Sequence, residues 1–214
     1  MKAVIIYSGG LDSSVLLHKY KDQIKLAVTF DYGAKHNKQE YARALYNTNL
    51  LKIKHLQIPL SFMNEYFKSD LLLSGGEVPE GHYDDPSMKQ IVVPFRNGIL
   101  LSVAVGLAES MELDTVLIGN HEASRGLYPD VQPEFTSTFS KACELGTYAH
   151  VKVWDPFINY TKRIVALVGK DLPTLDFANT YSCHKGTPIH CGMCGTCVER
   201  KEALEGFDPT QYLQ

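Results

Sequence analysis

Two short stretches of this chain bring together residue types that can do chemistry. Near the amino terminus, in KAVIIYSGGLDSSVLLHKY, Ser8, Gly9, Gly10, Leu11, Asp12, Ser13 and Ser14 separate an apolar run ending at Tyr7 from a helix-compatible run resuming at Val15. A strand-to-helix junction exposes unpaired backbone N–H groups at the positive end of a helix dipole, a setting that favours phosphate. Gly9 and Gly10 allow close backbone approach, and the three serines add hydroxyl donors. The stretch lacks the lysine of G-x-x-x-x-G-K-[ST] and does not match G-x-G-x-x-G, which sets aside a Walker loop and a dinucleotide fingerprint. The plainer alternative is a Gly/Ser turn with a capping serine; the flanking strand and helix favour the phosphate reading. Asp12 either orients Mg²⁺ or stabilises the loop.

The second stretch is SCHKGTPIHCGMCGTC, which holds Cys183, Cys191, Cys194 and Cys197. Two overlapping C-x-x-C pairs and a nearby fourth thiolate suit tetrahedral Zn²⁺. Four protein ligands leave no open position, so the metal is assigned a structural role, tying the terminal segment with its expected helix Glu199 to Glu205 back onto the sheet. An iron–sulfur cluster or unmetallated thiols are the alternatives. His184 and His190 beside a complete cysteine set read as groups around the metal or in solvent. Cys143, set apart, reads as a packed small hydrophobe.

The elements that must position these stretches follow from periodicity. Val4 to Tyr7, Ile24 to Phe30, Ile53 to Ile58, Asp114 to Gly119 and His150 to Trp154 read as strands. Helices are expected over Ser13 to Tyr20, from Asn37 to about Leu51, over an apolar run capped by Asn97, from about Glu134 to Leu145, and from near Thr161. Alternating strands and helices imply an α/β fold with a parallel sheet flanked by helices. Residues 69–90, with SGGEVPEGHYDDPSMK, break the rhythm and read as a lid, a binding loop or a mobile surface excursion. The expected division is a phosphate-loop domain over residues 1–175 and a small cysteine segment over 176–214, packed on it.

Composition narrows the function. The 214 residues are 44% hydrophobic and 21% charged with a net charge of −3, an ordinary globular balance without global attraction to nucleic acid. No apolar run approaches the roughly 20 residues that span a bilayer, and the amino terminus lacks a signal-peptide pattern. A cytoplasmic protein with no membrane partner is expected, and four of five cysteines in one cluster fit metal in a reducing compartment.

SGGLDSS resembles the pyrophosphate loop of the ATP-pyrophosphatase class. With YSGGLDSS, VTFDYG followed by His36, VPFRN, a YPD segment followed by EF, and the terminal CGMCGTC in that order, the chain resembles the 7-cyano-7-deazaguanine synthase (QueC) family almost from end to end. The resemblance implies a Rossmann-like, adenine-nucleotide-hydrolase type of sheet and three small-molecule partners: ATP, 7-carboxy-7-deazaguanine and ammonia. ATP would adenylate the carboxyl, ammonia would displace AMP to give an amide, and a second activation would dehydrate the amide to a nitrile. On this basis Ser8 to Ser14 would hold the ATP phosphates, with Asp12 and Arg96 catalytic. Phe30, Asp31 and Tyr32 would meet adenine or ribose. Glu122, Tyr128, Asp130 and Glu134 would meet the base. Arg96 is otherwise a surface ion pair. Mg²⁺, structural Zn²⁺ and a homodimer are further implications.

The sequence departs from the family pattern at Ala34, Phe95, Ser124, Val131 and Gln132. These departures motivate a rival reading, a paralogue that couples the activated acid to a protein amine. A tRNA-modifying ligase is a more distant alternative, disfavoured by the acidic balance.

Overall fold

The computed structural model describes every residue of the chain except 123–125. Its strands are β1 (Ala3–Ile6), β2 (Ile24–Asp31), β3 (Lys54–Pro59), β4 (Thr115–Leu117) and β5 (Lys152–Trp154). All pair in parallel, in the order β3-β2-β1-β4-β5. The chain winds outward from β1 to β3, then returns to place β4 on the other side of β1. The reversal opens a crevice beyond the carboxyl ends of β1 and β4, where open parallel sheets bind ligands.

The central strands are apolar on both faces because helices cover both. Val4, Leu26, Val28 and Phe30 face one way and pack with Leu100, Leu101 and Ala104 of α4 (Arg96–Ser110). Ala3, Ile5 and Ala27 face the other way and pack with α1 (Leu11–Lys19) and α6 (Lys162–Lys170). α2 is Asn37–Leu51, α3 is Phe62–Tyr66, α5 is Pro133–Gly146 and α7 is Gly195–Ala203. The five-residue α3 is too short for periodicity to reveal. Pro86–Ser110, a 3₁₀ turn leading into α4, is long and apolar enough for a membrane span, but half of its most apolar window is buried, and α4 packs on β1 and β4 as a core helix.

Three boundaries differ from expectation in ways that matter for the site. α1 begins at Leu11, not Ser13, because Gly10 is extended at the cap position and Leu11 is buried. α4 begins at Arg96, and Asn97 does not cap it: Asp130 Oδ2 accepts the Asn97 backbone N–H at 2.7 Å. Phe95 instead stands at the cap position in the left-handed region, with φ 52°, and its ring packs edge-on against Phe135. α7 begins at Gly195, inside the cysteine stretch, with the extended Cys194 at its cap.

Residues 69–90 are not a free excursion. The Asp70 N–H donates to Gln90, Lys35 Nζ donates to the carbonyls of Asp70 and Leu72, and Leu71, Leu72, Val78, Met88 and Ile91 are buried. The tip docks on the cysteine stretch, where Glu80 bridges Cys194 and the Gly81 N–H donates to Met193 at 3.0 Å. Satisfying backbone groups at both ends and at the tip fixes the segment.

At the first β-to-α turn, Gly9 has φ +84°, and a Cβ there would lie 2.4 Å from the carbonyl oxygen of Glu40 and 2.9 Å from the Ala44 nitrogen. Gly9 therefore admits α2 against the loop. Gly10, with φ −73°, has only the Ser8 hydroxyl within 3.0 Å of its missing Cβ. Gly9→Ala is expected to lower stability by about 2 kcal/mol or more in urea unfolding, and Gly10→Ala by less than about 1 kcal/mol.

Candidate active site

A cavity of about 210 Å³ lies at the crevice, walled by the first loop, the residues after β4, α4 and the carboxyl-terminal segment. On its first wall are Ser8, Gly10, Leu11, Asp12 and Ser13. The first α1 hydrogen bond runs from the Ser14 N–H to the Gly10 carbonyl at 3.0 Å, so the N–H groups of Leu11, Asp12 and Ser13 precede any helical acceptor. Ser8 Oγ accepts the Gly10 N–H at 3.1 Å and lies 3.1 Å from Ser13 Oγ, which fixes both hydroxyls at the cavity. Gly9 is turned to α2, and Ser14 is buried against the Tyr7 hydroxyl at 3.0 Å; neither lines the cavity.

Beside this loop four charged or titratable groups converge from separate parts of the chain. Lys162 Nζ lies 3.3 Å from Asp12 Oδ2 and 2.8 Å from Glu199 Oε2. His121 Nε2 is 3.8 Å from Asp12 Oδ2 and 3.9 Å from Glu199 Oε1. Burial opposes the charge of Asp12, but Lys162 and then His121 prevail and hold its carboxyl below the ordinary range. Burial likewise opposes the charge of Lys162, and the two carboxylates overcome it, raising its pKa. Among the described residues, Asp12 Oδ1 and Glu199 Oε1 are buried without a hydrogen-bond partner. Two spare carboxylate oxygens beside a row of N–H donors fit a hard divalent cation accompanying a polyphosphate. Lys162, Glu199 and His121 escaped the sequence reading. One signal was available: Lys162 directly follows the Thr161 cap, a helix position that the dipole disfavours for a cation.

The opposite wall is built around Arg96. Its Nη1 donates to the Tyr32 hydroxyl at 3.3 Å, and its guanidinium carbon lies 5.9 Å and 5.6 Å from the ring centres of Tyr32 and Tyr128. Among the described residues no carboxylate comes within ion-pair distance of it, so a surface ion pair is not its role. His36 stacks on His184 with ring centres 5.1 Å apart, and its Nε2 is 3.6 Å from Glu40 Oε2. Burial, reinforced by Arg96, pushes His36 down to about 3; burial raises Glu40 to about 8 against the opposing pull of Arg96. Both are therefore mainly uncharged at neutral pH.

Tyr32, Arg96 and Tyr128 thus share this cavity with the first loop, whereas several other residues singled out in the sequence do not line it. Phe30 is in the core, and Asp31 accepts the Gly33 N–H at 3.2 Å. Glu122 and Glu134 are exposed, and Asp130 caps α4. Of the departures, Val131 lines the cavity, Ala34 is buried in the core, Phe95 is exposed, and Gln132 precedes α5. Ser124 lies outside the described residues.

Cys183, Cys191, Cys194 and Cys197 are buried, with sulfur atoms all within 4.8 Å of one another. A tetrahedron of thiolates at about 2.3 Å from a central ion has edges of about 3.8 Å, and Cys191 and Cys197 sulfurs are 3.9 Å apart. The cluster could therefore hold a metal ion. The backbone N–H groups of Cys191, Met193 and Cys194 donate to cysteine sulfurs at 3.4, 3.4 and 3.3 Å, which favours thiolate charge. His190 accepts the Ser182 N–H at 3.0 Å, and Cys143 is buried elsewhere. The segment that carries the cluster also forms a wall of the cavity: Tyr181, Ser182 and His184 flank Cys183, Thr196 and Glu199 lie on α7, and Tyr83 comes from the docked loop.

Comparison with known proteins places this geometry in context. A family model described as queuosine biosynthesis protein QueC matches residues 2–208. A 7-cyano-7-deazaguanine synthase of Porphyromonas gingivalis is 48% identical over 213 residues, 98% of this chain and 96% of that protein. One from Desulfotalea psychrophila is 46% identical over 216 residues, 99% and 98% of the two chains. One from Alteromonas mediterranea is 40% identical over 215 residues, 98% and 97%. With the model matched from β1 to beyond α7 and relatives aligned end to end, the chain belongs to the QueC family of queuosine biosynthesis proteins.

Proposed function

We propose that this protein is an ATP-dependent ligase that converts 7-carboxy-7-deazaguanine and ammonia to 7-cyano-7-deazaguanine. The observation that carries the reading is that a phosphate-type loop and Arg96, a cation with no ion-paired carboxylate among the described residues, face one cavity. A carboxylate is a poor electrophile because its charge repels nucleophiles and its oxygen leaves badly. Joining it to the α-phosphorus of ATP removes both obstacles. The N–H groups of Leu11, Asp12 and Ser13 with Lys162 hold the departing pyrophosphate, and Arg96 draws the incoming carboxylate. The shared name of the relatives favours ammonia over a protein amine as acceptor.

Two metals belong to this reading. Asp12 and Glu199 would hold Mg²⁺, which neutralises phosphate charge when bound. The four cysteines would hold Zn²⁺, which supplies folding energy instead of reaction chemistry. The resemblance further supports a cytoplasmic homodimer.

Incubation with ATP, 7-carboxy-7-deazaguanine and ammonium is expected to yield the amide and then the nitrile by mass spectrometry; ATP cleavage with neither product would remove the assignment. Because Glu199 stands on the helix that the cysteines anchor, stripping the metal is expected to weaken ATP binding at least 10-fold by calorimetry. Cys194→Ser should do the same. Undiminished affinity in the metal-free chain would separate the cluster from the site.

A further inference from the structure

One cavity group has no part in the scheme above. Glu40 lies in the first turn of α2, whose backbone presses on Gly9. Its Oε1 is 3.9 Å from where a Cβ on Gly10 would stand, so its carboxyl adjoins the phosphate loop. The side chain is 14% exposed and lines the cavity. Its close polar contact among the described residues is His36, whose Nε2 at 3.6 Å is too distant for a hydrogen bond. Asp12 and Glu199, the other carboxylates of the cavity, flank Lys162. Among the described residues Glu40 has no lysine or arginine within ion-pair distance, and Arg96 acts on it only from farther away.

The reaction proposed above, on which this inference rests, has a proton requirement that phosphate and cation sites do not meet. Attack of the carboxylate on ATP releases pyrophosphate and no proton. Every later step sheds one from nitrogen. Ammonia and the acyl adenylate give the amide, AMP and a proton, as a C–N bond forms and the C–O bond to AMP breaks. The amide oxygen then attacks a second ATP, giving an adenylylated imidate, pyrophosphate and a proton. Loss of AMP from the imidate, with the N–H electron pair forming the third C–N bond, gives the nitrile and a third proton. Redox state is unchanged throughout.

We infer that Glu40 is the proton acceptor for the nitrogen steps, taking protons from the reacting nitrogen beside the phosphate loop and returning them to solvent between turns. A carboxyl that burial raises to about 8 is a far stronger base than an ordinary carboxylate and loses its proton near physiological pH. The groups around it are Tyr7 just after β1, Tyr32 after β2, Arg96 from α4 and His36 at the cap of its own helix, with His184 stacked beyond His36. Tyr7 is pushed above its usual range by burial, and His36 is held far below its own, so neither exchanges protons near pH 8.

The test uses the primary amide of the deazaguanine with ATP, which removes ammonia from the pH dependence. In the unaltered protein, nitrile formation should rise with pH through about 8 and level off. Glu40→Gln should lower kcat for this step about 100-fold and abolish that rise, with KM for ATP within about threefold. Acid-dependent exchange of pyrophosphate into ATP, which needs no proton acceptor, should survive in the variant, and Glu40→Asp should recover part of the nitrile rate. Nitrile formation within threefold of the unaltered protein, or equal loss of exchange and nitrile formation, would overturn the inference. A flat pH profile of the unaltered protein would overturn it without any variant. If the unaltered protein shows no acid-dependent exchange, the proposed function fails and this inference with it.

Discussion

Lys162 between Asp12 and Glu199 is the contact on which the site depends. It joins the amino-terminal ends of α1 and α6 to the middle of α7, three helices from distant parts of the chain. Dehydrating a lysine and two carboxylates is expensive, and an apolar replacement of equal shape often holds such helices as well. The value of the charges lies in what they leave over. Each carboxylate gives one oxygen to Lys162 and, among the described residues, keeps one buried oxygen without a hydrogen-bond partner. α7 reaches this position because its cap is a cysteine of the cluster, so the carboxyl-terminal segment completes the phosphate wall.

The two walls of the cavity carry charge differently. On the phosphate side, cation and anions lie in direct contact. On the other, Arg96 lies over the rings of Tyr32 and Tyr128, Asp130 also favours its charge, and no carboxylate among the described residues is within ion-pair distance. Glu40 beside it is mainly protonated at neutral pH, so it adds little repulsion toward an anion, and His36 is neutral. An acid entering the cavity meets an attractive field from Arg96 in surroundings of low polarity, where each interaction is stronger than in water. The same surroundings set Glu40 near the pH at which it can cycle.

Much of the fold was legible because the period of the pattern is local. The strands and long helices follow from β-branched runs and helical spacing, and the crevice follows from their alternation. SGGLDSS and the cysteines were legible because their spacing is itself the chemistry. Lys162, Glu199, His121 and Glu40 were not, since each owes its role to packing across the sheet's switch point and carries no short-range signature. Glu122 and Glu134, chosen by type near the YPD stretch, face solvent because α5 turns its first-turn acid outward and the Glu122 N–H pairs with Tyr160 instead. Asp130 was drawn to α4, whose left-handed Phe95 start leaves an N–H to be capped. Residues 69–90 read as a lid, a binding loop or a mobile excursion because their tip docks on the cysteine stretch, over 100 residues away.

The central claim is that oxygen of the acid attacks the α-phosphorus of ATP. It is tested most directly by running the reaction with both carboxylate oxygens labelled with ¹⁸O and weighing the AMP. Each of the two AMP molecules formed per nitrile should carry one labelled oxygen on its phosphate; unlabelled AMP with the label released as water would contradict the account.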